Sequence, residues 1–178
     1  AKKDKNAWDE AVANLPNLTE NKVYFTIEFT NGKKIKGELY PDLAPITVNN
    51  FINLSESGHY DGTIFHRVIE GFMIQGGAYT KDFHFKEETP VIKGEFMNNG
   101  VSNGLSHEAG VISMARAADY NSATHQFFIV TADATYLDKD YAAFGRITEG
   151  MDFAIEISRG ETTTLGPAED VPVKPYEI

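Results

Sequence analysis

From Val23 onward apolar and polar residues alternate: Val23, Phe25, Ile27 and Phe29 fall on one side, Tyr24, Thr26, Glu28 and Thr30 on the other. That is the period of a half-buried strand. Asn31-Gly32 follows, a pair that tolerates positive φ and predicts a hairpin turn, and Ile35, Gly37 and Leu39 continue as a second strand. Pro45 then opens a helix with Val48, Phe51, Ile52 and Ser55 along one side, and Gly58 ends it. Short strands separated by glycines are expected over 63–69, 72–76, 111–116, 126–131 and 143–147, with a last one over 173–178. A second helix over 151–158 turns Phe153, Ala154 and Ile157 inward. Residues 80–110 are polar and rich in Gly and Asn, which predicts loop with at most one short strand near 95–97. Many short strands, two helices and no βαβ alternation point to an antiparallel barrel or sandwich.

Residues 1–20 stand apart from this pattern, as an appendage to a domain covering 21–178. Trp8, Ala11, Val12 and Leu15 fall at helical spacing before Pro16. A short amphipathic helix docked on the main domain is the simpler reading; a tether or partner-binding arm is the other. A chain of 178 residues is long enough for one domain with a hydrophobic core, and a monomer is the expectation for one small barrel.

Charge and cysteine usage narrow the function. A net charge of −10 without any Lys/Arg run argues against a nucleic-acid partner, whose phosphates call for a basic surface. Cysteine is absent, which excludes disulfides, thiolate nucleophiles and zinc–thiolate sites and fits a reducing compartment. The start, Ala1-Lys2-Lys3-Asp4-Lys5, leads into no apolar segment, and no apolar run reaches membrane-spanning length. No membrane association and a cytoplasmic location are the expectations.

The five histidines show no i, i+4 pair and no HExxH frame, so no metal site is expected. Gly71, Gly76 and Gly77 are followed by no Gly-Lys-Ser/Thr and read as turn and bulge glycines rather than a phosphate loop. Glu87-Glu88 and Asp138-Lys139-Asp140 read as solvated loop charges.

The segment Phe65-His66-Arg67-Val68-Ile69 is followed by Gly71-Phe72-Met73-Ile74-Gln75-Gly76-Gly77. Strand alternation sets Phe65, Arg67 and Ile69 on one face and His66 on the other. A guanidinium among apolar neighbours is costly unless its charge is used. Period alone favours a surface arginine whose stem covers apolar area.

Phe-His-Arg-Val-Ile-x-Gly-Phe-Met-x-Gln-Gly-Gly resembles the signature segment of the cyclophilin family of peptidyl-prolyl isomerases. Gly110-Val111-Ile112-Ser113-Met114-Ala115-Arg116-Ala117 and Asn121-Ser122-Ala123-Thr124-His125-Gln126-Phe127-Phe128-Ile129 resemble two further family strands in the same order. Tyr136-Leu137-Asp138, Ala143-Phe144-Gly145-Arg146 and Glu149-Gly150-Met151 complete the series. The resemblance runs from about Val23 to Ile178. It implies a mainly β fold, a closed eight-stranded antiparallel β-barrel capped by two α-helices, with the site in a groove on the outside.

Carried over by position, the resemblance makes Arg67 the catalytic residue. Phe72, Met73, Phe128 and Leu137 become the pocket for proline. Gln75 and Gln126 help hold Arg67 and the substrate backbone. Ala115 and Arg116 belong to the stretch whose backbone pairs with the residues before proline. Tyr136 stands where many members carry tryptophan, and Tyr141 near where many carry histidine. The lost indole N–H implies weakened binding of cyclosporin-type inhibitors. Implied partners are proline-containing peptides and unfolded or partly folded proteins. No cofactor is implied, since nothing is cleaved or oxidised. The same residues would also serve a module that grips X–Pro segments without turnover, and a chaperone acting through exposed apolar surface could coexist with either.

Overall fold

The computed structural model describes residues 21–178, so the expected appendage over 1–20 lies outside the described residues. Strands β1 (Val23–Glu28) and β2 (Lys34–Leu39) form the first hairpin, with Val23 opposite Leu39 and Ile27 opposite Ile35. Its turn is the one the sequence predicts: Gly32 adopts φ +86°, and the Lys33 N–H donates to the Asn31 side chain at 2.9 Å. Gly37 is required for another reason. A Cβ there would lie 2.6 Å from the Arg146 carbonyl and from the Phe25 ring, closer than any side chain tolerates.

Helix α1 (Pro45–Glu56) starts at its proline. It buries Thr47, Val48, Phe51 and Leu54, while Ile52 is half-buried and Ser55 exposed. The inward stripe is therefore rotated from the expected one, and Thr47 explains the rotation. Its N–H and hydroxyl both donate to Glu95 Oε1, at 2.6 and 2.7 Å, so a buried carboxylate satisfies the first turn. Because Glu95 serves the helix, the short strand expected near 95–97 does not form; Met97–Asn99 is a 3₁₀ turn.

The remaining strands are β3 (Arg67–Ile69), β4 (Met73–Gly76), β5 (Val111–Met114), β6 (Phe127–Val130), β7 (Ala143–Glu149), β8 (Thr162–Leu165) and β9 (Ala168–Pro172). Of the nine strands among the described residues, seven make one antiparallel sheet in the order β1-β2-β7-β5-β6-β4-β3, and β8 and β9 form a separate hairpin that the pattern did not announce. Helix α2 (Met151–Ser158) buries Phe153, Ala154 and Ile157 as expected.

The closed ladder implied by the resemblance is not what these pairings give: the seven-stranded sheet ends at β1 and β3. The stretch 173–178, expected as a last strand, bridges the gap by single contacts instead. Glu177 pairs with Ile64, its carbonyl accepts the Thr30 N–H at 2.9 Å, and the Ile178 N–H donates to the Thr63 carbonyl at 2.9 Å. Thr63 and Ile64 make isolated bridges rather than strand, so the expected 63–69 strand shortens to three residues. Inside the curved sheet one core joins both helices: Phe51 meets Phe127 edge-on at 5.3 Å, and Phe153 meets Phe29 edge-on at 5.0 Å.

Candidate active site

The site lies on the sheet face turned away from that core. Arg67 on β3 is paired with Gln75 on β4, Gln75 with Phe128 on β6, and Phe128 with Ser113 on β5. Directly paired residues share a face, so one row crosses four strands. Next to it runs Ile69–Met73–Val130. Met73, Phe128, Val130 and Ala134 form a small buried apolar cluster of their own, with Ile69, Phe72, Ala115, Leu137 and Tyr141 packed against it. The alternate positions Val68, Ile74, Ile112 and Ile129 point into the main core. Period two, applied to strands that are covered on both faces, produces both clusters.

A hollow of about 200 Å³ opens on this face, lined by Arg67, Phe72, Met73, Gln75, Ala115, Arg116, Phe128, Leu137 and Tyr141. Arg67 is exposed at its edge, and its Nη1 donates to Gln75 Oε1 across 3.4 Å. Gln75 Nε2 in turn donates to Gln126 Oε1 at 2.8 Å. Gln126 does not line the hollow; it reaches Arg67 only through Gln75. Tyr136, 70 % exposed, stands outside the lining, with its ring 6.1 Å from that of Phe72. Tyr141 is a true wall, edge-on to Phe128 at 6.0 Å.

Arg116 has a structural duty that the sequence did not show. Its Nε and Nη2 donate to the Asp140 carbonyl at 3.1 and 2.7 Å, and Nη1 donates to the Ala117 carbonyl at 3.0 Å. The guanidinium sits 4.6 Å from the Tyr141 ring centre, 5.2 Å from Phe96 and 5.1 Å from Tyr120, so it braces the Tyr141 wall by cation–π contact. The Ala115 N–H is already bonded to the Gln126 carbonyl at 3.1 Å.

Two sequence expectations need correction. Phe65 does not share a face with Arg67; it lies in the main core, because regular strand begins only at Arg67. Asp138 is not a solvated loop charge. Its Oδ1 accepts the His107 backbone N–H at 2.7 Å and the ring Nδ1 at 2.9 Å, and its Oδ2 accepts the Ser106 hydroxyl at 2.6 Å. His107 and Asp138 are the members of the site's framework that sequence reasoning missed.

His66, beside Arg67 in the chain, is buried on the other face and lies 4.6 Å from the Tyr79 ring. Burial first, then the charge of Arg67, pushes its pKa down to about 4. His59 and His125 share a hydrogen bond of 3.0 Å, and burial lowers the pKa of His59 as well. Among the described residues no three His, Cys, Asp or Glu side chains converge to hold a metal ion. Among them, too, no helix is long and apolar enough to cross a membrane.

Comparison with known proteins agrees with this arrangement. The sequence model described as "Cyclophilin type peptidyl-prolyl cis-trans isomerase/CLD" matches residues 24–178. The chain is 44 % identical over 154 residues to peptidyl-prolyl cis-trans isomerase A of Dickeya dadantii, covering 84 % of this chain and 78 % of that one. It is 38 % identical over 151 residues to peptidyl-prolyl cis-trans isomerase B of Escherichia coli, covering 80 % and 89 %. In three dimensions it is similar to a Cryptosporidium parvum cyclophilin-type isomerase crystallised in the presence of the dipeptide Ala-Pro. There the TM-score is 0.70 and the identity 26 %, over 86 % of this chain and 93 % of that one. Sequence motifs, fold and relatives coincide: the chain belongs to the cyclophilin-type peptidyl-prolyl cis-trans isomerase family and is an enzyme of that class.

Proposed function

We propose that the outer hollow binds the proline of an X–Pro segment and that Arg67 stabilises the twisted state of the bond before it. The observation that carries this reading is the placement of an exposed guanidinium at the rim of an apolar hollow of about 200 Å³. The X–Pro bond is held planar by resonance, with a barrier of about 18–20 kcal/mol, and unassisted exchange takes roughly tens to hundreds of seconds. As the bond twists, the prolyl nitrogen loses conjugation and its lone pair becomes an acceptor. A donor that bonds this nitrogen better in the twisted state than in the planar one lowers the barrier selectively. Lowering it by about 4 kcal/mol accelerates exchange about a thousandfold.

In this reading Phe72, Met73, Phe128, Leu137 and Tyr141 hold the pyrrolidine ring still while the preceding peptide rotates. Gln75, itself held by Gln126, aims Arg67. The backbone at Ala115 and Arg116 receives the residues before proline; the bond from the Ala115 N–H to Gln126 leaves other groups of that stretch for the substrate. Arginine suits the task because its fork of donors is rigid and its charge is permanent. No covalent intermediate, metal or cofactor takes part. The substrates are proline-containing peptides and partly folded proteins, whose slow prolyl steps the enzyme shortens, so its biological role is to assist folding.

Exchange NMR on a proline tetrapeptide tests the proposal. Cross-peaks between the cis and trans signals at catalytic protein concentration support it. Binding without accelerated exchange would assign the groove to a binding module instead.

A further inference from the structure

Leu137 and Tyr136 sit on a 3₁₀ turn of only three residues, Thr135–Leu137, flanked by Ala134 and Asp138. Such a turn has poor internal hydrogen bonding and little stability of its own. Neither of its ends is capped by a side chain of the turn itself. Both ends instead run to one residue on another loop. The Ala134 N–H donates to the His107 carbonyl at 2.8 Å. At the other end, the Asp138 carboxylate accepts the backbone N–H and the ring Nδ1 of His107, at 2.7 and 2.9 Å.

The ring is fixed from its far side as well. His107 Nε2 lies 2.8 Å from Ser113 Oγ, and the ring plane stacks on Phe128 at 6.1 Å and 19°. The carboxylate at Nδ1 can only accept, so Nδ1 carries the proton and Nε2 accepts the Ser113 hydroxyl. Burial holds the pKa of His107 below its ordinary value against the opposing pull of Asp138, which agrees with a neutral ring in this tautomer. The order Ser113–His107–Asp138 imitates a nucleophilic triad, but Ser113 is 0 % and His107 1 % exposed. No substrate reaches that hydroxyl.

We propose that His107 is a positioning residue of the isomerase: it clips both ends of the turn that carries Leu137 and backs the Phe128 ring, so it sets the width of the proline hollow. The inference rests on the reading of that hollow as the proline site. His107 acts on how well the ring is held, whereas Arg67 and Gln75, which act on the twisting bond, stand on β3 and β4 and do not touch it. Its loss therefore shows in substrate affinity more than in turnover.

The test compares wild type with His107→Leu, which removes both ring bonds, and with Asp138→Asn, which weakens the clip from a side chain that is 30 % exposed. Exchange NMR on a proline tetrapeptide gives KM and kcat; NOEs from the Leu137 methyls to Met73 and Phe128, recorded without peptide, report the turn. The expected result for His107→Leu is a rise in KM of about tenfold with kcat within about twofold, together with weakened Leu137 NOEs and unchanged Ile157 methyl signals in the main core. Asp138→Asn is expected to move KM and the NOEs the same way by a smaller factor. Should His107→Leu disturb Ile157 too, Asp138→Asn decides. Unchanged Leu137 NOEs and KM in Asp138→Asn, or a fall in kcat at constant KM, overturn the proposal. A wild type that does not isomerise the peptide would overturn the functional reading alone, since the NOEs are read without substrate.

Discussion

Gln75 Oε1 accepts Arg67 Nη1 across 3.4 Å, at the long end of hydrogen bonding, while the other end of the same amide donates firmly to Gln126 at 2.8 Å. The glutamine is thus anchored to Gln126, the residue just before β6, and only lightly joined to the cation. Arg67 is aimed but lightly held, which suits the bond to the prolyl nitrogen proposed for it. Gln75→Ala should therefore lower kcat by about tenfold, the effect of losing one orienting hydrogen bond, without affecting the fold. Single-turnover exchange kinetics beside a circular dichroism spectrum would check this, and an unchanged kcat would show that Arg67 orients itself.

The wall of the hollow should answer to truncation in both binding and stability. Phe128 is buried between the His107 ring and Tyr141. Phe128→Ala is expected to cost about 3–5 kcal/mol of folding stability and to raise KM steeply. Urea unfolding measures the first and the peptide exchange assay the second. A small stability loss would mean that the outer cluster is not packed as described.

Gly37 offers a test of the sheet rather than the site. Its missing side chain lets the Phe25 ring and the Arg146 carbonyl close over β2. Gly37→Ala should therefore destabilise by about 1–3 kcal/mol through overpacking, visible as a lower Tm. A neutral result would show that the Phe25 ring can swing aside.

His66 makes stability depend on pH. Its folded pKa is lowered to about 4 from 6.5 by burial. Between those values the unfolded chain binds the extra proton and the folded one does not, so stability falls as pH drops from 6.5 to 4 and levels off below. The contribution present above pH 6.5 is about 3 kcal/mol. Comparing urea midpoints of wild type and His66→Asn across this window isolates it from the carboxylates. Parallel pH curves for the two proteins would contradict the assignment.

Tyr136 is exposed beside Phe72 at the rim of the hollow. The family resemblance implies a tryptophan at this position in many members, so Tyr136→Trp is expected to tighten binding of cyclosporin-type inhibitors by about tenfold, the effect of one regained hydrogen bond to a ligand. Calorimetric titration reads this directly. Nanomolar inhibition of the wild type would mean that the indole N–H is dispensable here.

What the sequence disclosed was whatever lies along one strand. Arg67, Met73, Gln75 and Phe128 could be placed because residues on a strand alternate and because continuous motifs carry the family resemblance. Phe65 was misplaced by the same rule, extended two residues beyond where the strand begins. The joint between His107 and the turn at 134–138 was illegible because it links two irregular loops far apart in the chain, where no period operates. Arg116 was read for its backbone, since nothing local announces that Phe96, Tyr120 and Tyr141 gather around its guanidinium. The edge-bridging stretch 173–178 resembled a strand in composition, but it meets its neighbours by single contacts and so never builds a ladder.

Arg67 carries the central claim, and charge alone should not replace it. The measurement is the protease-coupled isomerisation rate of wild type, Arg67→Ala and Arg67→Lys, with each fold checked by circular dichroism. Both variants are predicted to fold normally and to lose about a hundredfold or more of kcat/KM, lysine included because it keeps the cation but not the rigid fork. A rate near that of wild type in either variant would contradict the account.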